Sequence, residues 1–231
     1  MKAYVDCYPC FLRQALEAAR MTTKDESIQR DILQRSASLL GSLPPEATPV
    51  EMGWKIHRML QETTGTADPY QEVKKASNDQ ALSHLPRLRK AVEASRDPLL
   101  TAVRLAAAGN AIDFGANPGF DLESSIEEGL AEGFDDTHFS LFVEKLSAAD
   151  WILYIGDNAG EIVFDRLLIE EVVKLGPRVT FVVRGGPIIN DATMEDARYV
   201  EMDEVATIRS SGFTGPGMIL GECAPEFLEL F

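Results

Sequence analysis

WILYIGDNAGEIVFDRLLIEEVVKLGPRVTFVVRGGPIINDATMEDARY, residues 151–199, holds two short apolar runs separated by one helical segment. Trp151–Ile155 is continuous and apolar and stops at Gly156, the pattern of a strand buried in a parallel sheet. Residues 161–175 carry the spacing of an amphipathic helix, and residues 179–183 repeat the buried-strand pattern. Residues 191–199 read as a short helix and residues 205–208 as a weaker third strand. Strand, helix, strand, helix, strand predicts right-handed crossovers and a parallel α/β layer. A glycine-rich loop, residues 212–217, and a short terminal helix, residues 222–231, close the sequence.

Upstream of this layer the chain reads almost entirely as helix, from about Phe11 to Leu146. Phe11, Leu12, Ala15, Leu16 and Ala19 recur at helical spacing, as do Ile28, Ile32, Leu33, Leu39 and Leu40 before Pro44-Pro45. Residues 51–64 carry Trp54, Ile56, Met59 and Leu60, with Gly65 as a C-cap. Asp68-Pro69 opens the next helix, and Pro86 and Pro98 punctuate the two segments that follow. Residues 99–108 are apolar and alanine-rich, a buried helix ending at Gly109-Asn110. The division expected is a helical part over residues 1–148 and an α/β core over residues 149–231.

Ligands of open parallel sheets bind beyond the carboxyl ends of the strands. There the first strand runs into Gly156-Asp157-Asn158-Ala159-Gly160-Glu161, and the second into Arg184-Gly185-Gly186-Pro187 and then Asn190-Asp191. If the strands are neighbours, Asp157, Asn158 and Asp191 converge. Two carboxylates and an amide oxygen are hard donors that suit Mg²⁺ or Mn²⁺ with water sites left open. The helix after Asn158 aims its first N–H groups at the same place and favours an anion. Gly160 permits close backbone approach, and Arg184 supplies a fork for phosphate. A structural reading stands beside this one: Asn158-x-x-Glu161 fits a capping box, and Asp191 an N-cap.

GDNAGEIVFD (156–165) and RGGPIINDATMEDA (184–197) resemble the two signature segments of the DUF89, or ARMT1-like damage-control phosphatase, family. DCYPCFLRQAL (6–16), DPYQEVK (68–74) and GNAIDFG (109–115) resemble further family segments in the same order. The N-terminal Cys-x-x-Cys looks like the prokaryotic branch. The resemblance implies a helical part packed on a Rossmann-like α/β/α core. It implies a divalent ion (Mn, Mg, Co or Ni) held by Asp157, Asn158 and Asp191. It implies hydrolysis of small phosphomonoesters, sugar phosphates or damaged phosphometabolites. Asn110 and Asp113 are candidates to reach the site from the helical part, with a helix C-cap and turn as their structural reading. Glu161 and Asp165 are candidates for a base, Asp165 more simply bracing the loop. Family members normally continue with a further strand and a Lys-Gly loop that contacts phosphate, whereas this sequence stops at Phe231. That predicts cation binding with weak or absent turnover, and an open sheet edge that drives homo-oligomerisation.

Composition narrows the partners. With Lys+Arg 22 against Asp+Glu 37, the formal charge is −15, which disfavours nucleic acid and anionic membranes. An anionic substrate then needs a local cation. No apolar run approaches the roughly 18 residues of a membrane span, and the N-terminus lacks the apolar stretch of a signal peptide. A cytoplasmic protein is expected. Cys7, Cys10 and Cys223 are too few and too scattered for a disulfide framework, and Cys7 with Cys10 provides only half a zinc site. His57, His84 and His138 lack metal spacing, the acidic stretch from Glu123 to Asp136 reads as a solvated face, and Trp54 and Trp151 read as core. Two other functions compete with phosphate-ester hydrolysis. One is non-catalytic binding of a metal or metabolite. The other is carboxyl methyl transfer from S-adenosylmethionine, for which GDNAGE is a poor glycine loop. A haloacid-dehalogenase mechanism fails on Asn158-Ala159, where Asp-x-Asp is needed.

Overall fold

The computed structural model describes residues 2–110 and 135–231. Asp113 and most of the acidic stretch lie outside the described residues. Among the described residues, six helices precede the sheet: α1 (Cys7–Thr22), α2 (Glu26–Ser42), α3 (Pro49–Thr64), α4 (Gln71–Ala94), α5 (Pro98–Asn110) and α6 (Phe139–Ser147). The layer that follows comprises β1 (Trp151–Ile155), α7 (Glu161–Val173), β2 (Arg178–Val183), α8 (Met194–Tyr199), β3 (Thr207–Ser210) and a closing turn, α9 (Pro225–Leu228). The chain is therefore mixed α/β, with helix dominating and a small parallel sheet.

Local chemistry sets the helix boundaries. In α3, Thr48 and Glu51 form a reciprocal capping box, Pro49 occupies the first turn, and Gly65 closes the helix in the left-handed region at φ 69°. In α2, Asp25 accepts from the Ser27 N–H at 2.8 Å. Phe11, Ala15 and Ala19 of α1, Ile32 and Leu40 of α2, and Met52, Ile56 and Leu60 of α3 line one face each and form a common core. His57 is buried there, and that burial depresses its pKa to about 4.

A second, larger core surrounds α7. The sequence pattern predicts an amphipathic helix, yet α7 is buried on nearly every side, including Glu161, Asp165, Arg166 and Glu171. The reason is its place between the sheet and the pair α4 and α5. Gly109 of α5 lies so close to Phe164 that an added Cβ would sit 2.8 Å from that side chain. The buried charges are paired: Arg166 donates to Glu201, to Glu204 and to the Val200 carbonyl.

The sheet order is β1-β2-β3, all parallel, with Tyr154 opposite Phe181 and Phe181 opposite Ile208. Only β2 matches the buried pattern read from its sequence. β1 is an edge strand, and Trp151 and Ile155 at its ends are exposed. Trp151 is thus not a core residue; its indole N–H donates to Thr180 Oγ1 at 2.8 Å. The third strand begins two residues later than its sequence suggests, and the terminal helix shrinks to one turn that buries Phe227 against Val182 and Phe213.

Pro86 does not end a helix, for α4 continues through it to Ala94. It lies on the exposed face of the helix, while Leu85, Leu88 and Val92 stay buried. Proline in a helix interior nonetheless forfeits a hydrogen bond. Pro86→Ala is therefore expected to stabilise the protein by roughly 1–3 kcal/mol, read as a higher midpoint in urea with an unchanged slope.

Candidate active site at the carboxyl ends of β1 and β2

β1 and β2 finish side by side, with Ile155 opposite Val182. Gly156 follows immediately, and a Cβ there would lie 2.3 Å from the Phe181 ring. The loops leaving the two strands are zipped through their backbones. Ala192 N–H donates to the Asp157 carbonyl at 2.7 Å and Ala159 N–H to the Asn190 carbonyl at 2.8 Å. Asn158 and Asp191 therefore face one another across an antiparallel bridge.

Arg184 leaves the end of β2 with its side chain buried and reaches both acids. Nε donates to Asp191 Oδ2 at 2.6 Å and Nη2 to Asp157 Oδ1 at 2.5 Å. Asp157 is half exposed, whereas Asp191 is buried. The expected meeting of Asp157, Asn158 and Asp191 is thus present, with a guanidinium between the two acids. Asn158 turns its Nδ2 towards Glu161 Oε2 at 3.1 Å and Asp157 Oδ2 at 3.4 Å. The amide nitrogen, not the oxygen, faces the acids, since neighbouring carboxylates require donors.

The structural reading of these residues is weaker than the sequence allows. Thr193, not Asp191, caps α8, in a capping box with Asp196. Gly160 precedes α7 at φ 87°, a conformation suited to glycine. Asn158 lacks the acceptor role of a cap. Asp191 is therefore held for something other than helix capping. The anion cradle expected at the start of α7 is reduced, because Gly160 N–H donates to Asn78 Oδ1 at 2.7 Å.

Burial and mutual repulsion mark the acids electrostatically. Burial pushes Asp191 up to about 6, with Arg184 opposing and Asp157 adding to the rise. Burial and then Asp157 raise Glu161. Burial drives Asp165 up to about 8, against a hydrogen bond from the Tyr154 hydroxyl at 2.5 Å. Asp165 thus braces strand β1 through Tyr154, rather than the loop its structural reading anticipates. Among the described residues, no group of three or more His, Cys, Asp or Glu is gathered as a metal centre. The donor set is instead Asp157 and Asp191, which the Asn158 oxygen joins once its amide turns over, in surroundings more acidic than one arginine balances. Such hard donors and surplus charge suit a divalent cation.

Two clefts adjoin this centre. One, of about 550 Å³, is lined by Asn110, Tyr154, Asp157, Glu161, Asp165 and Gly217. Asn110 does reach the site from the helical part. The other, of about 410 Å³, includes Lys74, Asn78, Glu195 and Tyr199, and Arg184 lines both.

The chain matches the model of the damage-control phosphatase ARMT1-like domain over residues 3–231. The chain belongs to this ARMT1-like family. A damage-control phosphatase of Archaeoglobus fulgidus is 35% identical over 98% of this chain and 80% of that protein. An uncharacterized protein of Methanocaldococcus jannaschii is 37% identical over 100% of this chain and 78% of its own length. The crystal structure of a DUF89 family protein from Pyrococcus horikoshii superposes with a TM-score of 0.86 at 32% identity, covering 99% of this chain and 80% of that one.

In this ARMT1-like chain, three site features escape the sequence. The Gly217 N–H bonds Asp191 from the loop after β3. The only cue was a glycine-rich stretch at a third strand end. Asn78, 82 residues before Gly160, has no local signal at all. Lys74, within DPYQEVK, is buried between Asp68 at 2.8 Å and Asp196 at 3.1 Å. Burial works against its charge, but Asp196 and Asp68 more than offset this and raise its pKa.

Asp165 gives the stability a pH dependence. Its carboxyl keeps a proton up to about pH 8 in the folded chain, but only to about 4 when unfolded. Stability from this group is full below the unfolded value and is lost as pH rises through the folded one. His57 acts oppositely, but only below its unfolded value of about 6.5. Chelator-treated protein should therefore lose about 2 kcal/mol between pH 6.5 and 8. Urea unfolding at both pH values checks this, and Asp165→Asn should flatten the difference.

Proposed function

We propose that this chain is a divalent-metal-dependent phosphatase acting on small phosphomonoesters, sugar phosphates or damaged phosphometabolites. The observation that carries the reading is the convergence of Asp157 and Asp191 from two strand-end loops onto one buried arginine. Membership of a family whose named relatives include damage-control phosphatases supports the same chemistry. Asp157, Asn158 and Asp191 are the residues that would hold the cation, whether Mn, Mg, Co or Ni. Such an ion supplies charge to polarise a phosphoryl oxygen and lowers the pKa of a bound water.

The chain's own groups do the rest. Arg184 offers a planar fork matched to two phosphoryl oxygens, worth more in a buried site than in water. Glu161 lines the cleft, and burial and then Asp157 raise its pKa, which makes its carboxylate a stronger base for an attacking water. Asn110, at the end of α5, stands on the same wall as a hydrogen-bonding group for the rest of the substrate. A cleft of about 550 Å³ accommodates a small metabolite rather than a polymer.

A panel of phosphomonoesters assayed with Mn²⁺, Co²⁺, Ni²⁺ and Mg²⁺ tests the proposal. Phosphate release should require a divalent ion. Asp191→Ala should lower kcat/KM about a hundredfold or more, or ~3 kcal/mol in the barrier. Absence of turnover with every ion, despite measurable cation binding, would leave a non-catalytic binding protein instead.

A further inference from the structure

We infer that Arg184 is a latch: a divalent cation must take from it the carboxylate oxygens it grips, and only then is its guanidinium free for an anion. The inference rests on the function proposed above and adds an order of events to it. Three observations carry it. Arg184 already commits Nε to Asp191 and Nη2 to Asp157, so the cation and the guanidinium compete for the same acids. The side chain is almost wholly buried, so its fork does not face open solvent. Arg184 also lines both clefts, which gives its side chain space to turn into once released.

The physical logic is charge replacement. A monocation neutralises one of two adjacent acids and spares the site the cost of leaving both unpaired. A dication neutralises both, and like charges then repel the guanidinium from the pair. The backbone need not move, because Arg184 N–H stays on the Ala192 carbonyl at 3.0 Å and Gly185 N–H on the Phe213 carbonyl at 2.8 Å. Only the side chain swings. Cation and phosphate ester then bind with positive coupling, the first ligand unmasking a group that the second uses.

The test is nuclear magnetic resonance of the full chain labelled with ¹⁵N in arginine, titrated with diamagnetic Mg²⁺, or with Zn²⁺ if calorimetry shows Mg²⁺ not to bind. Loss of one Nε–H signal in Arg184→Lys assigns it; Arg184→Gln serves if the lysine variant does not fold. With chelator present, that signal should be shifted and slow to exchange with solvent. At cation saturation it should move towards the position of free arginine, and its exchange should quicken by about tenfold or more. If calorimetry shows the cation bound and the Arg184 signal stays in place and protected, the latch is wrong while the proposed function stands. If neither cation binds, the metal-dependent reading fails and the latch falls with it.

Discussion

One guanidinium holding two carboxylates from different loops is the interaction on which the candidate site depends. Asp157 follows β1 and Asp191 lies beyond β2, and nothing local in either segment brings them together. The parallel register of the strands places the loops side by side, and the backbone zipper at Asn158 and Asp191 fixes their spacing. Arg184 then makes the arrangement electrostatically tolerable. Burying acids near each other is costly unless a cation accompanies them. Asp191 keeps a raised pKa despite Arg184, so the arginine offsets only part of that cost. A site left with surplus negative charge, in a chain already strongly acidic, is built to take up positive charge.

The helical part contributes to this centre rather than merely supporting it. Asn78 of α4 accepts the Gly160 N–H and donates to Asp196, and Asn110 at the end of α5 shares a cleft with Asp157. α7 is enclosed between these helices and the sheet, so the loop that carries Asp157 and Asn158 is anchored at its far end by a packed helix. Reacting groups held on such a frame keep their geometry, which matters where sub-ångström placement governs rate.

Much of this was legible in the sequence. The apolar runs at Trp151 and Val179, with a helical period between them, gave the parallel layer, and the rule for strand ends pointed to Asp157, Asn158 and Asp191. What remained illegible was non-local. A continuous apolar run does not distinguish an edge strand from a central one, so Trp151 reads as core although it is exposed. A helix enclosed on all sides and one packed on a single face share the same spacing, and α7 shows the difference only through its neighbours. Asp191 and Thr193 are equally good caps by residue type, and the backbone alone selects Thr193. Gly160 and Asp196, which Asn78 joins, and Asp196 again as one of the two partners of Lys74, lie far along the chain, where no periodicity reaches.

Lys74 places the two halves of the chain under a constraint of timing. Its ammonium is enclosed by Asp68, which is nearby in sequence, and by Asp196, which the ribosome adds 122 residues later. During synthesis the N-terminal helices emerge first and can form their own core, but α4 must wait with half of its ionic partnership missing. That ionic contact across the seam between the helices and the layer can therefore form only after Asp196 has left the exit tunnel, well after α4 itself has emerged.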